Sequence, residues 1–540
     1  MAEETGVTVA DAGLADRAAA LVDKLVADGV ASRLAARDAT LWGPDAEAEA
    51  SVRLSWTSLH QTSRPLIGEI EALRTELQGE GVDRVVLAGM GGSSLAPEVI
   101  TSTEDGVALT VLDTTDPGQV ADALAGDLQR TVLVVSSKSG GTVETDSHRR
   151  IFAKAFAEAG VDAASRIVVV TDPGSPLAEL AEREGYRKVF LADPEVGGRY
   201  SALTAFGLVP AGLAGADVAR LLDQAALLAA DLSTDSAGNP ALRLAAALGA
   251  AHEAGAEKVV LADTGSGITG FGDWAEQLIA ESTGKQGTGL LPVVVDGPAA
   301  AGFADAGPDA TPVAIGPANA AATISVTGTL GAQILLWEYA TAIVGRLLGI
   351  DPFDQPDVEA AKKAARSLLD SPDPATGASS PSTVDGHVEV HGTVGASGDG
   401  TLADVLTEFL DTVPDNGYLA VQAYLDRLDD ASAALLRAEL AKRTGHQVTF
   451  GWGPRFLHST GQYHKGGHQN GVFLQLTGAA VDDLEVPDRP YTLGTLQLAQ
   501  ALGDGQVLAD HGRPVLRLHL TDRAAGLAEL VRAVQQVRQG

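Results

Sequence analysis

Residues 84–100 read RVVLAGMGGSSLAPEVI. An apolar run ends in two glycines and two serines, and a stretch with helical spacing follows. A short continuous apolar run closed by a turn signal is the mark of a buried parallel strand. The glycines let a backbone approach an anion closely, and a helix N-terminus supplies free N–H groups. A plain tight turn reads the same way, and the third glycine of the dinucleotide fingerprint is missing.

The unit recurs downstream. ALTVLD (108–113) leads into PGQVADALAG, RTVLVVSS (130–137) into a helix from Thr142, RIVVVTD (166–172) into PLAELAEREG, and RKVFLA (187–192) closes the series. Residues 81–212 therefore read as one doubly wound α/β domain. Upstream, residues 1–80 form an N-terminal helical segment, with apolar residues at three and four spacing from residue 13.

A second α/β block begins near Lys258. KVVLADTG reads as a strand and FGDWAEQLIAES as a helix; LLPVVV, TPVAIG and TISVTG are strands before the long buried helix LGAQILLWEYATAIVGRLLG. Residues 213–370 are the second domain. Residues 371–402, rich in Ser, Gly, Pro and Thr, read as a linker or surface insertion. Residues 403–540 are a C-terminal α/β segment completing the site.

Composition narrows the function. Of 540 residues, 45% are hydrophobic and 20% charged, which is ordinary for a folded chain, and the length calls for more than one core. Acidic residues outnumber basic ones 71 to 38, a net charge of −33. Such a field repels nucleic acid, anionic membranes and anionic substrates alike, so any phosphate site must be a local cluster of donors. No cysteine is present, which excludes disulfides, thiolate metal sites and a cysteine nucleophile. The opening MAEETGVTVADAG lacks the apolar run of a signal peptide, and no stretch of about 20 apolar residues suggests a membrane span. A cytoplasmic protein is the expectation.

Six segments can carry chemistry. The first is the Gly92-Ser93 turn above. The second, SSKSGGTVET, gathers Ser137, Lys138, Ser139 and Thr142 where a strand ends and a helix begins. Hydroxyls and backbone N–H groups suit a phosphate monoester, and ligands sit beyond the carboxyl ends of parallel strands. No Walker A motif accompanies it. In VGGRYSALTAFGL, Arg199 follows Gly198 and opens a buried helix; an arginine there is costly unless it meets an anion. A surface arginine beside Glu195 is the ordinary alternative.

In WAEQLIAESTGK, Glu281 ends a helix, where the dipole disposes a carboxylate toward accepting a proton. A helix-cap glutamate in water is the bland reading. PFDQPDVEAAKK offers Gln355 and Lys362, the latter also readable as a solvated helix lysine. FLHSTGQYHKGGHQNGVFLQL holds His458, His464 and His468, without the carboxylate, thiolate or helical HExxH spacing of a zinc site. An acid/base histidine is the better functional reading, against a structural one.

Taken together and in this order, GMGGSS, SSKSGGTVET, VGGRYSALTAFGL, AESTGK and PFDQPDVEAAKK resemble the glucose-6-phosphate isomerase family, over about 80–365 and 450–480. The resemblance is nearest to the isomerase half of bacterial proteins fused to transaldolase, although no transaldolase domain is evident. It implies two doubly wound parallel-sheet sugar-isomerase (SIS) domains with extra helices. It implies interconversion of glucose 6-phosphate and fructose 6-phosphate through a cis-enediol(ate), with no cofactor and no metal. Glu281 would shuttle the proton, Arg199 stabilise the enediolate oxygen, and His458 with Lys362 open the ring. Gly92, Ser93, Ser137, Lys138, Ser139, Thr142, Gly198 and Gln355 would bind the phosphosugar.

One departure is visible. LHSTGQ resembles the family's histidine segment, which usually precedes the FDQ motif; here it follows. RPYTLGTLQLAQ resembles the start of the long helix before FDQ, so the last third reads as rearranged or partly duplicated. His464 is thus a rival to His458. The resemblance also implies a homodimer with the site near the interface, the ring-opening histidine reaching across it. Mannose-6-phosphate isomerisation is an alternative activity, and a non-catalytic phosphosugar-binding regulator an alternative of another class. A glucosamine-forming synthase would need a catalytic cysteine.

Overall fold

The first strand comes earlier than the helical pattern predicts. In the computed structural model, which describes residues 5–369, 380–392 and 400–537 (side chains of 358–362 excepted), Gly6–Val9 is strand β1. It pairs antiparallel with residues 324–327. The N-terminal segment is therefore not helical throughout: Val7 is buried at a sheet edge, and only the chain after it forms helices.

The first sheet contains β2 (Arg84–Gly89), β3 (Thr110–Leu112), β4 (Thr131–Ser136), β5 (Ile167–Thr171) and β6 (Lys188–Leu191). Their order is β3-β2-β4-β5-β6, every pair parallel. Alternate residues serve two cores, as the pleat requires. Val85, Leu87, Val132 and Val134 join the core shared with the N-terminal helices and the second sheet. Val86, Ala88, Leu133 and Val135 pack against Phe152 and Phe156, with Leu493 and Leu496 from near the C-terminus. Burial on both faces is why these strands read as unbroken apolar runs.

The second sheet contains β7 (Lys258–Asp263), β8 (Leu291–Val295), β9 (Ala310–Ile315) and β10 (Ile324–Thr327), in the order β1-β10-β9-β7-β8. All its pairs are parallel except β1 with β10. Helix Leu330–Leu348 is buried continuously over Leu330–Gly345. An apolar surface all the way round marks a helix enclosed on every side.

A third sheet corrects the reading of the last third. It contains β11 (Thr383–Asp385), β12 (Val388–His391), β13 (Tyr418–Tyr424), β14 (Gln447–Trp452), β15 (Gly471–Gly478) and β16 (Val515–Leu520), in the order β11-β12-β16-β15-β13-β14. β16, β15, β13 and β14 are mutually parallel, and the hairpin β11-β12 adds to one edge with antiparallel pairing. Residues 383–391 fall in the segment expected as a linker or surface insertion; they form an edge hairpin, with Val388 and Val390 in a separate apolar core beside Leu406, Phe409, Leu474 and Leu530. Ser/Gly-rich composition masks two short valine-bearing strands because edge strands need only one buried face. Residues 371–379 and 393–399 of that segment lie outside the described residues. Among the described residues no helix is long and apolar enough to cross a membrane.

Candidate functional site

Strand ends bring the candidate residues together. β2 runs into the Gly91–Ser93 turn, β4 into the 137–142 loop, β6 leads to the turn Gly198–Tyr200, and β14 leads to Arg455–His458. These meet helix Phe271–Thr283 around a cleft of about 680 Å³. Gly92, Ser93, Ser137, Lys138, Ser139, Thr142, Gly198, Glu281, Gln355 and His458 all line it. Gly92 must be glycine: a Cβ there would lie 1.9 Å from the Gly198 carbonyl oxygen. The two glycine turns are thus in contact, and a methyl group would push them apart.

The hydroxyl-rich loop sits at the start of helix Val143–Glu158. Ser137 Oγ and Thr142 Oγ1 are 2.9 Å apart. Thr142 occupies the N-cap position but makes no side-chain cap, so N–H groups of the first turn are left for a ligand. Ser139 Oγ accepts from Gly141 N at 3.3 Å. Lys138 turns partly aside: its Nζ donates to Asp172 Oδ2 at 2.6 Å and to Pro194 O at 3.2 Å. Burial raises the Asp172 pKa, and Lys138 opposes that rise.

Arg199 and Glu281 form a buried pair in which Glu281 lines the cleft and Arg199, not among the lining residues, stands behind it. Arg199 is 4% exposed and Glu281 5%. Nη1 of Arg199 donates to Glu281 Oε2 at 3.1 Å. Its other nitrogens donate to Pro352 O at 3.0 Å and Asp354 O at 2.7 Å. The anion that justifies burying this arginine is therefore Glu281, not Glu195. Lys285, fully buried, fastens the same 351–354 turn by donating to Asp351 O and Asp354 O, each at 2.7 Å, and Asp354 Oδ1 at 2.6 Å. Burial and then the neighbouring Arg199 bring the Lys285 pKa down to about 8.

The three histidines differ in their packing. His458 Nε2 lies 3.2 Å from Glu144 Oε1, and Gln500 Nε2 donates to the same oxygen at 2.7 Å. His464 points elsewhere. Its Nδ1 lies 3.1 Å from Tyr418 Oη, the two rings stack at 5.8 Å, and Phe473 meets it edge-on at 5.2 Å. Burial drives its pKa well below the ordinary value. His468 pairs with Glu257 at 3.1 Å and is not among the cleft residues. Lys362 falls on helix Val358–Leu369, and its side chain lies outside the described residues.

Several cleft residues escaped the sequence reading. Gln277 Nε2 donates to His458 O at 2.9 Å and lies 3.4 Å from Glu281 Oε1, bridging the two residues. Its position one turn before Glu281 on the same helix was the available signal. Lys465, beside His464, lines the cleft and pairs with the fully buried Asp504 at 2.5 Å. Glu144 stood in the quoted loop segment but needed a partner 314 positions away.

The phosphoglucose isomerase family profile matches residues 51–299. The probable glucose-6-phosphate isomerase of Haloquadratum walsbyi is 31% identical over 342 residues, 53% of this chain and 79% of that protein. The chain belongs to the glucose-6-phosphate isomerase family. The probable glucose-6-phosphate isomerase of Haloarcula marismortui is 38% identical over 214 residues, 39% of this chain and 49% of that protein. The chain thus spans about half the length of that relative. The crystal structure of a glucose-6-phosphate isomerase from Chlamydia trachomatis shares the fold: TM-score 0.52, 19% identity, covering 67% of this chain and 88% of that one. For this family member, the profile match includes the glycine turns, the hydroxyl loop, Arg199 and Glu281. His458 lies beyond it.

Proposed function

We propose that the cleft is where this isomerase interconverts glucose 6-phosphate and fructose 6-phosphate, with Glu281 as the base. The observation that carries the reading is a buried carboxylate sharing one cleft with the Ser137–Thr142 loop. A phosphate held by Ser93, Ser137, Ser139 and Thr142 at the helix N-terminus fixes one end of the sugar. Lys138 adds positive charge, shared with Asp172. Local donors are needed because the chain as a whole repels an anionic substrate.

The chemistry follows from placement. His458, with Glu144 behind it, exchanges the proton that opens the ring. Glu281 then removes the proton from C2 of the open-chain aldose, and the C1 oxygen takes up the electron pair as an enediolate. Arg199 stabilises that negative oxygen. Glu281 returns its proton to C1, while the C2 hydroxyl passes its proton to the C1 oxygen, so that C1 carries the hydroxyl and C2 the carbonyl. Gln355 and Gly198 shape the cleft around the sugar. Lys465 supplies a further cation in the wall.

This reading takes His458, Glu144 and Glu281 from one chain, whereas the resemblance implies a histidine reaching across a dimer interface. Association into a homodimer then leaves the chemistry within each copy.

The test is product analysis with fructose 6-phosphate in heavy water. The expected result is glucose 6-phosphate with deuterium at C2. Binding without turnover would overturn the reading in favour of a phosphosugar sensor. Mannose 6-phosphate alone as product would overturn the substrate assignment.

A further inference from the structure

A second cleft, of about 640 Å³, lies beside the hydroxyl-rich loop and is not used by the reaction above. Helices Val143–Glu158 and Pro176–Glu184, the end of helix Val358–Leu369, and residues 489–491 form its walls. Five arginines line it: Arg149, Arg150, Arg183, Arg366 and Arg489. Among the described residues two carboxylates do, Asp146 and Glu179. This excess of three positive charges occurs in a chain whose net charge is −33.

Asp146 is the hub. Its carboxylate accepts from Arg149 at 2.7 Å, Arg150 at 2.8 Å and Arg489 at 2.8 Å. One carboxylate cannot neutralise three guanidinium groups. Arg149 also donates to the Tyr186 hydroxyl at 3.0 Å. Arg150 also reaches Asp488 at 3.1 Å, but that side chain is 88% exposed, where water screens it. Arg183 pairs with the neighbouring, exposed Glu184 at 3.3 Å. Three like charges converging on one point repel one another unless an anion joins them. Tyr491, Pro490 and Leu180 give the same cleft an apolar side.

We propose that this cleft binds a regulatory ligand, a small molecule carrying at least two phosphate groups, and that its occupancy weakens phosphosugar binding next door. The charge excess calls for more than one phosphate, and the planar guanidinium forks match phosphate oxygens. Coupling follows from shared walls: Ser137, Gly141 and Thr142 border both clefts. Two anions brought to opposite sides of one loop disfavour each other, and the effect is reciprocal.

Inorganic pyrophosphate is the probe, titrated calorimetrically into the full chain with the glucose 6-phosphate/fructose 6-phosphate mixture at saturation. One pyrophosphate per chain should still bind, and in kinetics it should raise the apparent KM to a plateau. Arg150→Gln and Arg489→Gln should each weaken pyrophosphate binding about tenfold or more, the loss expected for a charged hydrogen bond. Their KM without pyrophosphate should be unchanged. Asp146→Asn should tighten it, since removing the hub's negative charge leaves the arginines short of an anion. Pyrophosphate binding that vanishes under saturating phosphosugar would place it in the catalytic cleft alone and overturn the proposal. So would a folded Asp146→Asn chain, verified by thermal melting, with unchanged or weaker affinity, whatever the arginine variants do.

Discussion

His458 and Glu144 meet at 3.2 Å although 314 positions separate them. One comes from the end of β14 in the third sheet, the other from the helix that follows β4 in the first. The third unit therefore does more than pack against the others: it inserts a titratable side chain into a cleft made by the first two. Mixing inactive chains tests this. Hybrids of Glu281→Gln and His458→Asn chains, co-expressed and purified together, should show no activity above that of the separate variants. Recovery toward half of wild-type turnover would mean that the histidine is exchanged between copies.

Glu281→Gln keeps the shape and hydrogen-bonding size of the side chain but removes the base. General acid/base groups typically contribute about 10²–10⁴-fold. The expected loss is of that size in kcat, with KM for fructose 6-phosphate within about threefold because phosphate contacts are intact. Steady-state kinetics checks both, and near-wild-type kcat would remove Glu281 from its role.

The two candidate histidines should separate cleanly. His458→Asn should lower kcat on the cyclic sugar by about 10-fold or more. His464→Phe should leave kcat essentially intact, because that ring is enclosed by Tyr418 and Phe473 rather than by the cleft. It should cost about 1–3 kcal/mol of stability, the penalty for stranding the Tyr418 hydroxyl. Denaturant melts beside activity assays distinguish the two effects.

Arg455 fastens three parts of the chain. It reaches Glu98 at 2.5 Å and Asp113 at 3.2 Å in the first part, and Asp273 at 3.5 Å in the second. Three residues later comes His458. Arg455→Ala leaves the buried Asp113 carboxylate unpaired, while Glu98 keeps Arg427, and breaking such a buried pair typically costs about 3–5 kcal/mol. A fall in melting temperature accompanied by lost activity is expected; lost activity with an unchanged melting curve would argue against a structural clasp.

Glu276 gives a pH dependence. Burial, and then Asp273, push its pKa up from 4.5 to about 8. Between those values the folded chain holds a proton that the unfolded chain has released. Stability from this group is therefore full below about pH 4.5 and falls as pH rises toward 8. Glu276→Gln should stabilise the protein at pH 8.5 by about 1–3 kcal/mol, while leaving it near wild type at pH 5. Equal melting shifts at both pH values would contradict this.

The sequence by itself determined the local units. Apolar runs closed by Gly and Ser at 84–100 and 130–145 specify strand, turn and helix through side-chain period and backbone freedom, which need no distant partner. Those turns put the glycine and hydroxyl groups at strand ends, so most of the cleft lining was legible residue by residue. What only the tertiary structure decided was pairing. Whether His458 or His464 faces the cleft depends on which ring finds Tyr418. The Glu144 contact, the edge position of β1, the hairpin within 383–391 and the gathering of five arginines all depend on elements far apart in the chain. A local pattern fixes which way a side chain faces on its own strand or helix; what it meets there is set by how the sheets are ordered and docked, and that is decided by burying the apolar faces of distant segments against one another.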